Sequence, residues 1–196
     1  MQRHVSDPFV KKAQLEGYRS RSAYKLIELN EKDRLIRPGM KILDLGSAPG
    51  GWSQVAGKLV GAKGRVLATD ILPMEPIKNV DFIQGDFTEQ AVVTELLNWL
   101  GGGKFDLIIS DIAPNITGID SADQASSMYF LELALDTVRQ TLKPGATFVA
   151  KMFQGSGSDQ YVKDLRTSFE KVLIRKPAAS RAQSREVYIV AKGLRS

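Results

Sequence analysis

Lys151 lies inside Phe148-Val149-Ala150-Lys151-Met152-Phe153, an apolar run of the kind that forms a central strand. An ammonium there is costly unless paired, and burial lowers its pKa towards the range of a general base. The competing reading is a lysine at a strand end that carries its charge out to solvent. Asp111 ends the preceding apolar run and is the natural partner. It would raise the lysine pKa against desolvation, and the sequence leaves open which effect wins. Two more acids follow strand-like runs: Asp70 after Arg65-Val66-Leu67-Ala68-Thr69, and Asp86 in Gly85-Asp86-Phe87.

The segment Leu43-Asp44-Leu45-Gly46-Ser47-Ala48-Pro49-Gly50-Gly51-Trp52 reads as a glycine-rich turn from a strand into a helix. Glycines let such a turn approach a ligand, and the helix N-terminus favours a negative group. Asp70 follows Gly50 by twenty residues, where a carboxylate meets the hydroxyls of a nucleoside ribose. A dinucleotide fingerprint needs glycines at its first, third and sixth positions, the middle one admitting the pyrophosphate. Counted from Gly46, the third position is Ala48, with Pro49 beside it. S-adenosylmethionine has no pyrophosphate: its carboxylate suits the helix N-terminus and its ribose suits Asp70. It is therefore the expected cofactor. The candidates for holding it are Gly46, Ser47, Pro49 and Gly50 in the loop, Asp70 with Ile71, and Asp86 with Phe87.

A methyl sulfonium is already a strong electrophile, so the protein has mainly to align the nucleophile and remove its proton. The chain has no cysteine, which excludes disulfides, thiolate metal sites and the covalent adduct used to methylate carbon five of a pyrimidine. Exocyclic amines are commonly methylated beside an Asn/Asp-Pro-Pro-aromatic loop, whereas Asp111-Ile112-Ala113-Pro114-Asn115 has one proline and no aromatic. Oxygen remains the best candidate nucleophile. The single histidine, His4, is expected to be solvated near the terminus, and no metal site is expected.

Periodicity supplies the elements that must position these groups. Strands are expected at Lys41 to Leu45, Arg65 to Asp70, Val80 to Gln84, Asp106 to Ser110, Thr147 to Met152, Lys171 to Arg175 and Glu186 to Ala191. Helices are expected at Ser20 to Asn30, Gly51 to Val60, Glu89 to Leu100, Ala125 to Leu142 and Ser158 to Phe169. In the fourth, Met128, Leu131, Leu135, Val138 and Leu142 fall on one face and read as core. Alternating strands and helices call for an α/β fold with a mostly parallel sheet covered on both faces. The last two strands lack a helix between them, so they are expected to pair as an antiparallel hairpin at one edge. In such sheets ligands bind beyond the carboxyl ends of the strands.

At 196 residues, 43% hydrophobic and 25% charged, the chain reads as one domain with a sizeable core. No run is long enough for a membrane span and no apolar leader is seen, so a cytoplasmic monomer is expected. Residues 1 to 37 hold nine Lys/Arg against five Asp/Glu, and residues 171 to 196 hold seven against one. These ends contribute +4 and +6 to a total of +5, which leaves the middle at −5. Two basic ends flanking an acidic middle favour a polyanionic partner. The candidate contacts are Lys11, Lys12, Arg19 and Arg21 at one end, and Arg175, Lys176, Arg181 and Arg185 at the other.

The sequence resembles the FtsJ/RrmJ (RlmE) family of ribosomal RNA 2′-O-methyltransferases along nearly its whole length. The matching segments are Arg19 to Leu26, Gly46 to Ser53, Gln84 to Phe87, Ser110 to Asn115, Lys151 to Gly155, and Ser180 to Tyr188. The resemblance implies a Rossmann-like class I methyltransferase fold with a seven-stranded sheet, in which 1–37 is a basic RNA-contacting segment and helix and 38–196 is the core. It implies a catalytic tetrad of Lys25, Asp111, Lys151 and Glu186, all present here, and cofactor contacts at Gly50, Trp52, Asp70, Asp86 and Asp111. Without it, Lys25 would read as an exposed helix lysine and Glu186 as an edge-strand acid. The expected activity is 2′-O-methylation of a uridine in large-subunit 23S ribosomal RNA, supporting maturation of that subunit. The alternatives are a non-catalytic RNA-binding assembly factor and a nicotinamide-dependent oxidoreductase. The family often has a longer basic N-terminal extension than this chain shows.

Overall fold

The computed structural model describes residues 7–114 and 117–196. His4 and Asn115 lie outside them. The expected α/β sheet is present, with seven strands in the order β3-β2-β1-β4-β5-β7-β6. In chain order these are β1 (Lys41–Leu45), β2 (Arg65–Asp70), β3 (Val80–Gln84), β4 (Phe105–Ser110), β5 (Leu142–Phe153), β6 (Phe169–Arg175) and β7 (Glu186–Leu194). The first five run parallel, while β7 is antiparallel to both β5 and β6.

Among the described residues six helices accompany the sheet: α1 (Pro8–Glu16), α2 (Ala23–Asp33), α3 (Gly51–Val60), α4 (Gln90–Leu100), α5 (Asp120–Thr141) and α6 (Ser158–Ser168). One face of the sheet is covered by α2 and α3, through Leu26, Leu29, Val55 and Val60 against Ile42, Val66, Ile109 and Val190. The other is covered by α4, α5 and α6, through Leu96, Leu131, Leu135 and Leu165 against Leu43, Ile108, Phe148 and Ile189. The strands between them are apolar on both faces, as a doubly covered sheet requires.

Strand β6 starts two residues early and β7 and α2 each end three residues later than expected, and the main differences besides are these. Helix α1 was not expected, yet Asp7 caps it by accepting from Phe9 N, Pro8 opens it and Gly17 closes it at φ 76°. Helix α2 begins at Ala23 rather than Ser20, because residues 20–22 form a turn whose last carbonyl, Ser22 O, receives Trp52 Nε1. Helix α5 starts five residues early, with Asp120 and Asp123 complementing its N-terminal dipole. Strand β5 starts early at Leu142, with an irregularity in its pairing to β4 between Phe105 and Leu107.

Candidate active site

The two-residue period of a strand decides which side chains meet. On β5, Phe148, Ala150 and Met152 pack towards α4 to α6, so Val149 and Lys151 take the opposite face beneath α2 and α3. On β7, Val187 and Ile189 pack with Phe148, which leaves Glu186 and Tyr188 on the face of Lys151. On β4, Leu107 and Ile109 share the α2–α3 face, and Asp111 follows with the same parity. Helix α2 crosses above and carries Lys25. One face of the sheet thus gathers Lys25, Asp111, Lys151, Glu186 and Tyr188, separated by up to 161 positions in sequence.

Their contacts form one network. Lys25 Nζ donates to Glu186 Oε1 at 2.7 Å, with both side chains about nine-tenths covered. Lys151 Nζ lies 3.2 Å from Asp111 Oδ1 and donates to the Asp111 carbonyl at 2.9 Å. Tyr188 links the pairs: its hydroxyl donates to Asp111 Oδ1 at 2.6 Å and lies 3.4 Å from Glu186 Oε1. Ser180 Oγ donates to that same Glu186 oxygen at 2.8 Å. Burial would raise the Glu186 pKa, but the hydrogen bond and charge of Lys25, with Ser180 and Lys151, outweigh it and hold the carboxyl below its usual range. Burial, then the charges of Asp111 and Glu186, push the Tyr188 hydroxyl well above the ordinary phenol. Tyr188 therefore stays protonated and serves as a fixed donor.

Beside this network a cleft of about 550 Å³ opens over the carboxyl ends of β1 to β4. Its walls include Gly46, Asp70, Ile71, Asp86, Phe87 and Asp111. Gly46 sits at φ 69°, and a Cβ there would come within 2.1 Å of the Ile112 side chain, so the loop reaches this close only with glycine. Asp70 Oδ2 accepts from Ala48 N and its Oδ1 from Leu72 N, both at 2.9 Å, and Asp86 Oδ1 accepts from Thr88 N at 2.9 Å. Each carboxylate oxygen retains a second lone pair for a ligand hydroxyl or N–H.

The other loop candidates do not line this cleft. Ser47 is buried, with its amide bonded to Thr69 O. The Pro49 carbonyl receives Arg19, and Gly50, at φ 113°, packs beside Ile77 and Met74. Trp52 is buried, its ring 5.6 Å from that of Tyr188, so it supports the network from below.

The basic candidates divide. Lys11, Lys12, Lys176, Arg181 and Arg185 are exposed, Lys12 with its ammonium 4.6 Å from the Tyr24 ring centre. Lys176 donates to the carbonyls of Ser184 and Glu186, and Arg185 lies 3.7 Å from Asp120. Arg175 makes a bidentate pair with buried Asp33, at 2.8 Å for both bonds, which ties α2 to β6. Arg19 donates to the carbonyls of Pro49, Glu75 and Pro76, clamping the N-terminal segment to the cleft loops. Arg21 pairs with Asp7 and bonds Ala179 O.

Sequence reasoning missed Tyr188, Ser180 and Asp44. The period of β7 could have flagged Tyr188, two residues from Glu186. Asp44 is fully buried; Ser53 Oγ donates to its Oδ2 at 2.6 Å, while Oδ1 has no partner among the described residues. Burial, reinforced by the charges of Asp111 and Asp70 and opposed by Ser53, pushes its pKa up to about 7. Its position inside an apolar run hid it.

Residues 18–194 match the family model of the FtsJ-like methyltransferases. The chain is 70% identical, over 98% of its length and 93% of the relative's, to a ribosomal RNA large subunit methyltransferase E of Stutzerimonas stutzeri. It is 64% identical to the protein of the same name from Marinobacter nauticus, over 100% of this chain and 94% of that one. Among solved structures it resembles a ribosomal RNA methyltransferase from Plasmodium falciparum, with a TM-score of 0.81, 33% identity, and coverage of 90% of this chain and 98% of that one.

Proposed function

Since the chain belongs to the FtsJ-like methyltransferase family, we propose that it transfers a methyl group from S-adenosylmethionine to the 2′-hydroxyl of a uridine in large-subunit ribosomal RNA. The observation that carries this reading is the Lys25–Glu186 and Lys151–Asp111 network, joined through Tyr188 at the edge of the acid-lined cleft. The names of the relatives supply the large-subunit RNA.

The cleft fits S-adenosylmethionine on three counts. Its volume is in the range of small-molecule sites. Asp70 and Asp86 offer acceptors for ribose and base, and Gly46 gives close backbone approach. The unpartnered Asp44 oxygen below adds negative charge suited to a cation. When bound, S-adenosylmethionine supplies an electrophilic methyl group.

The chain's residues do the rest. Lys151, fixed by Asp111, first gives its ammonium proton to solvent; as the amine it orients the ribose hydroxyl and takes its proton as the new bond forms, and Asp111 holds the resulting ammonium. Glu186 fixes Lys25, whose ammonium orients the ribose, and Tyr188 keeps the two carboxylates in register. Lys11, Lys12, Arg181 and Arg185 contact phosphates without reading sequence, while the 2′-hydroxyl distinguishes RNA from DNA. In this reading 1–196 is one methyltransferase domain, with 1–37 as its RNA-contacting segment.

The test is transfer of labelled methyl to ribosomal RNA, free and assembled in large subunits. A 2′-O-methyl group prevents attack on the adjacent phosphate, so the product should resist alkaline cleavage at one linkage. Incorporated label with normal cleavage there would mean base methylation. RNA binding without incorporation would mean a non-catalytic assembly factor.

A further inference from the structure

The turn before α2 carries an anion seat that the chain fills with its own carboxylate. Arg21 Nη1 lies 2.9 Å from Asp7 Oδ2, and Arg181 Nη2 lies 4.0 Å from the same oxygen. One acidic oxygen facing two guanidinium groups is also how a phosphate oxygen is held between arginines. Arg21 Nη2 donates to Ala179 O, while its buried Nε has no partner among the described residues. The seat adjoins the reacting groups. Ser180, between Ala179 and Arg181, bonds Glu186, and Arg21 lies four residues before Lys25, in the turn that opens α2.

Helix α1 covers this seat. Asp7 caps the helix, and the Phe9 ring centre lies 5.6 Å from the Arg21 guanidinium. Ala13 is the helix's only buried residue, resting with Phe9 on Tyr24 and Ala179, and the end of the helix is held where Glu16 accepts from the Tyr24 hydroxyl at 2.7 Å. A helix of nine residues is shorter than the roughly 12 that are marginal in water, so docking is what keeps it formed. A phosphate added beside Asp7 would place two anions on one guanidinium, whereas a phosphate replacing Asp7 keeps the charge balanced.

We propose that Arg21 and Arg181 form a seat for an RNA phosphate which Asp7 occupies in the free protein, so that RNA entry displaces Asp7 and lifts the first turn of α1. The proposal rests on the RNA-methyltransferase reading above. It makes Asp7 a competitor of the substrate, held in the place the phosphate takes.

Asp7→Asn tests it, because asparagine caps a helix as well as aspartate but carries no charge. With a large-subunit ribosomal RNA fragment as probe, Asp7→Asn should bind about fivefold more tightly, the effect of removing one competing ion pair. Combined with Arg21→Ala it should give no gain. Hydrogen exchange of the first-turn amides, Phe9 to Lys11, should speed up when RNA is added to the wild type. Equal or weaker RNA binding by Asp7→Asn, or first-turn amides that RNA protects, would overturn the proposal. A wild type that neither binds RNA nor transfers methyl would instead overturn the functional reading beneath it.

Discussion

Replacing Glu186 by glutamine keeps the side-chain shape and removes one negative charge from a group of two lysines and two acids that is otherwise neutral. At 2.7 Å the Lys25–Glu186 pair has a gross Coulomb energy of roughly 6 kcal/mol at an effective dielectric of 20, largely offset by desolvation of both ions. Removing one partner of a buried pair costs about 3–5 kcal/mol, and the residual exposure at this site argues for the low end, about 3 kcal/mol. For a chain of this size that is roughly 6–12 °C in Tm. The sign of the pH dependence follows from the lowered Glu186 pKa. Its stabilisation is present above the carboxyl's unfolded value and is lost as pH falls through the lower folded value. The gap between wild type and Glu186→Gln should therefore close in acid. A double-mutant cycle measured by thermal melts is decisive, since Lys25→Met removes the stranded ammonium. Glu186→Gln with Lys25→Met should be more stable than Glu186→Gln alone, while methyl transfer stays low in both. A loss under about 0.5 kcal/mol for Glu186→Gln, or additive losses in the double variant, would refute the coupling.

Two further outcomes concern the cofactor cleft. Asp70→Ala should weaken S-adenosylmethionine binding by about tenfold or more, because the variant loses a charged acceptor and the tether on Ala48 N. An unchanged Kd by calorimetry would remove Asp70 from the site. Asp44 titrates near pH 7 against an ordinary 3.8, so the folded protein binds more protons between those values and its stability falls as pH rises across the window. Asp44→Asn should flatten that fall in melts from pH 4 to 8. A cationic cofactor favours the ionised form, so wild-type affinity should rise through pH 7 and that of Asp44→Asn should not.

The strands and helices that position the site were largely legible because each carries its period clearly: β1, β2, β3 and α3 lie where the pattern places them. Helix α1 was not, since it buries only Ala13 and leaves almost no periodic trace. Its cap, Pro8 and Gly17 were the available signal. Lys151 and Asp111 stood out as charges against apolar strands, and their pairing follows from the neighbouring strands β4 and β5. Lys25 and Glu186 have ordinary local surroundings, and only the crossing of α2 over β7 brings them together. The internal use of Arg19 and Arg175 was likewise invisible, because their partners lie up to 142 residues away. Sequence gives the charge of an end of the chain but not which of its arginines already have partners.

The central claim is that Lys151 handles the proton of the attacking hydroxyl, and single-turnover methyl transfer by Lys151→Ala tests it most directly. A positioned proton acceptor contributes about 10²- to 10⁴-fold in rate. Turnover should fall by at least that factor while S-adenosylmethionine and RNA still bind with near wild-type affinity and the protein melts cooperatively. Turnover within a few fold of wild type would contradict the account.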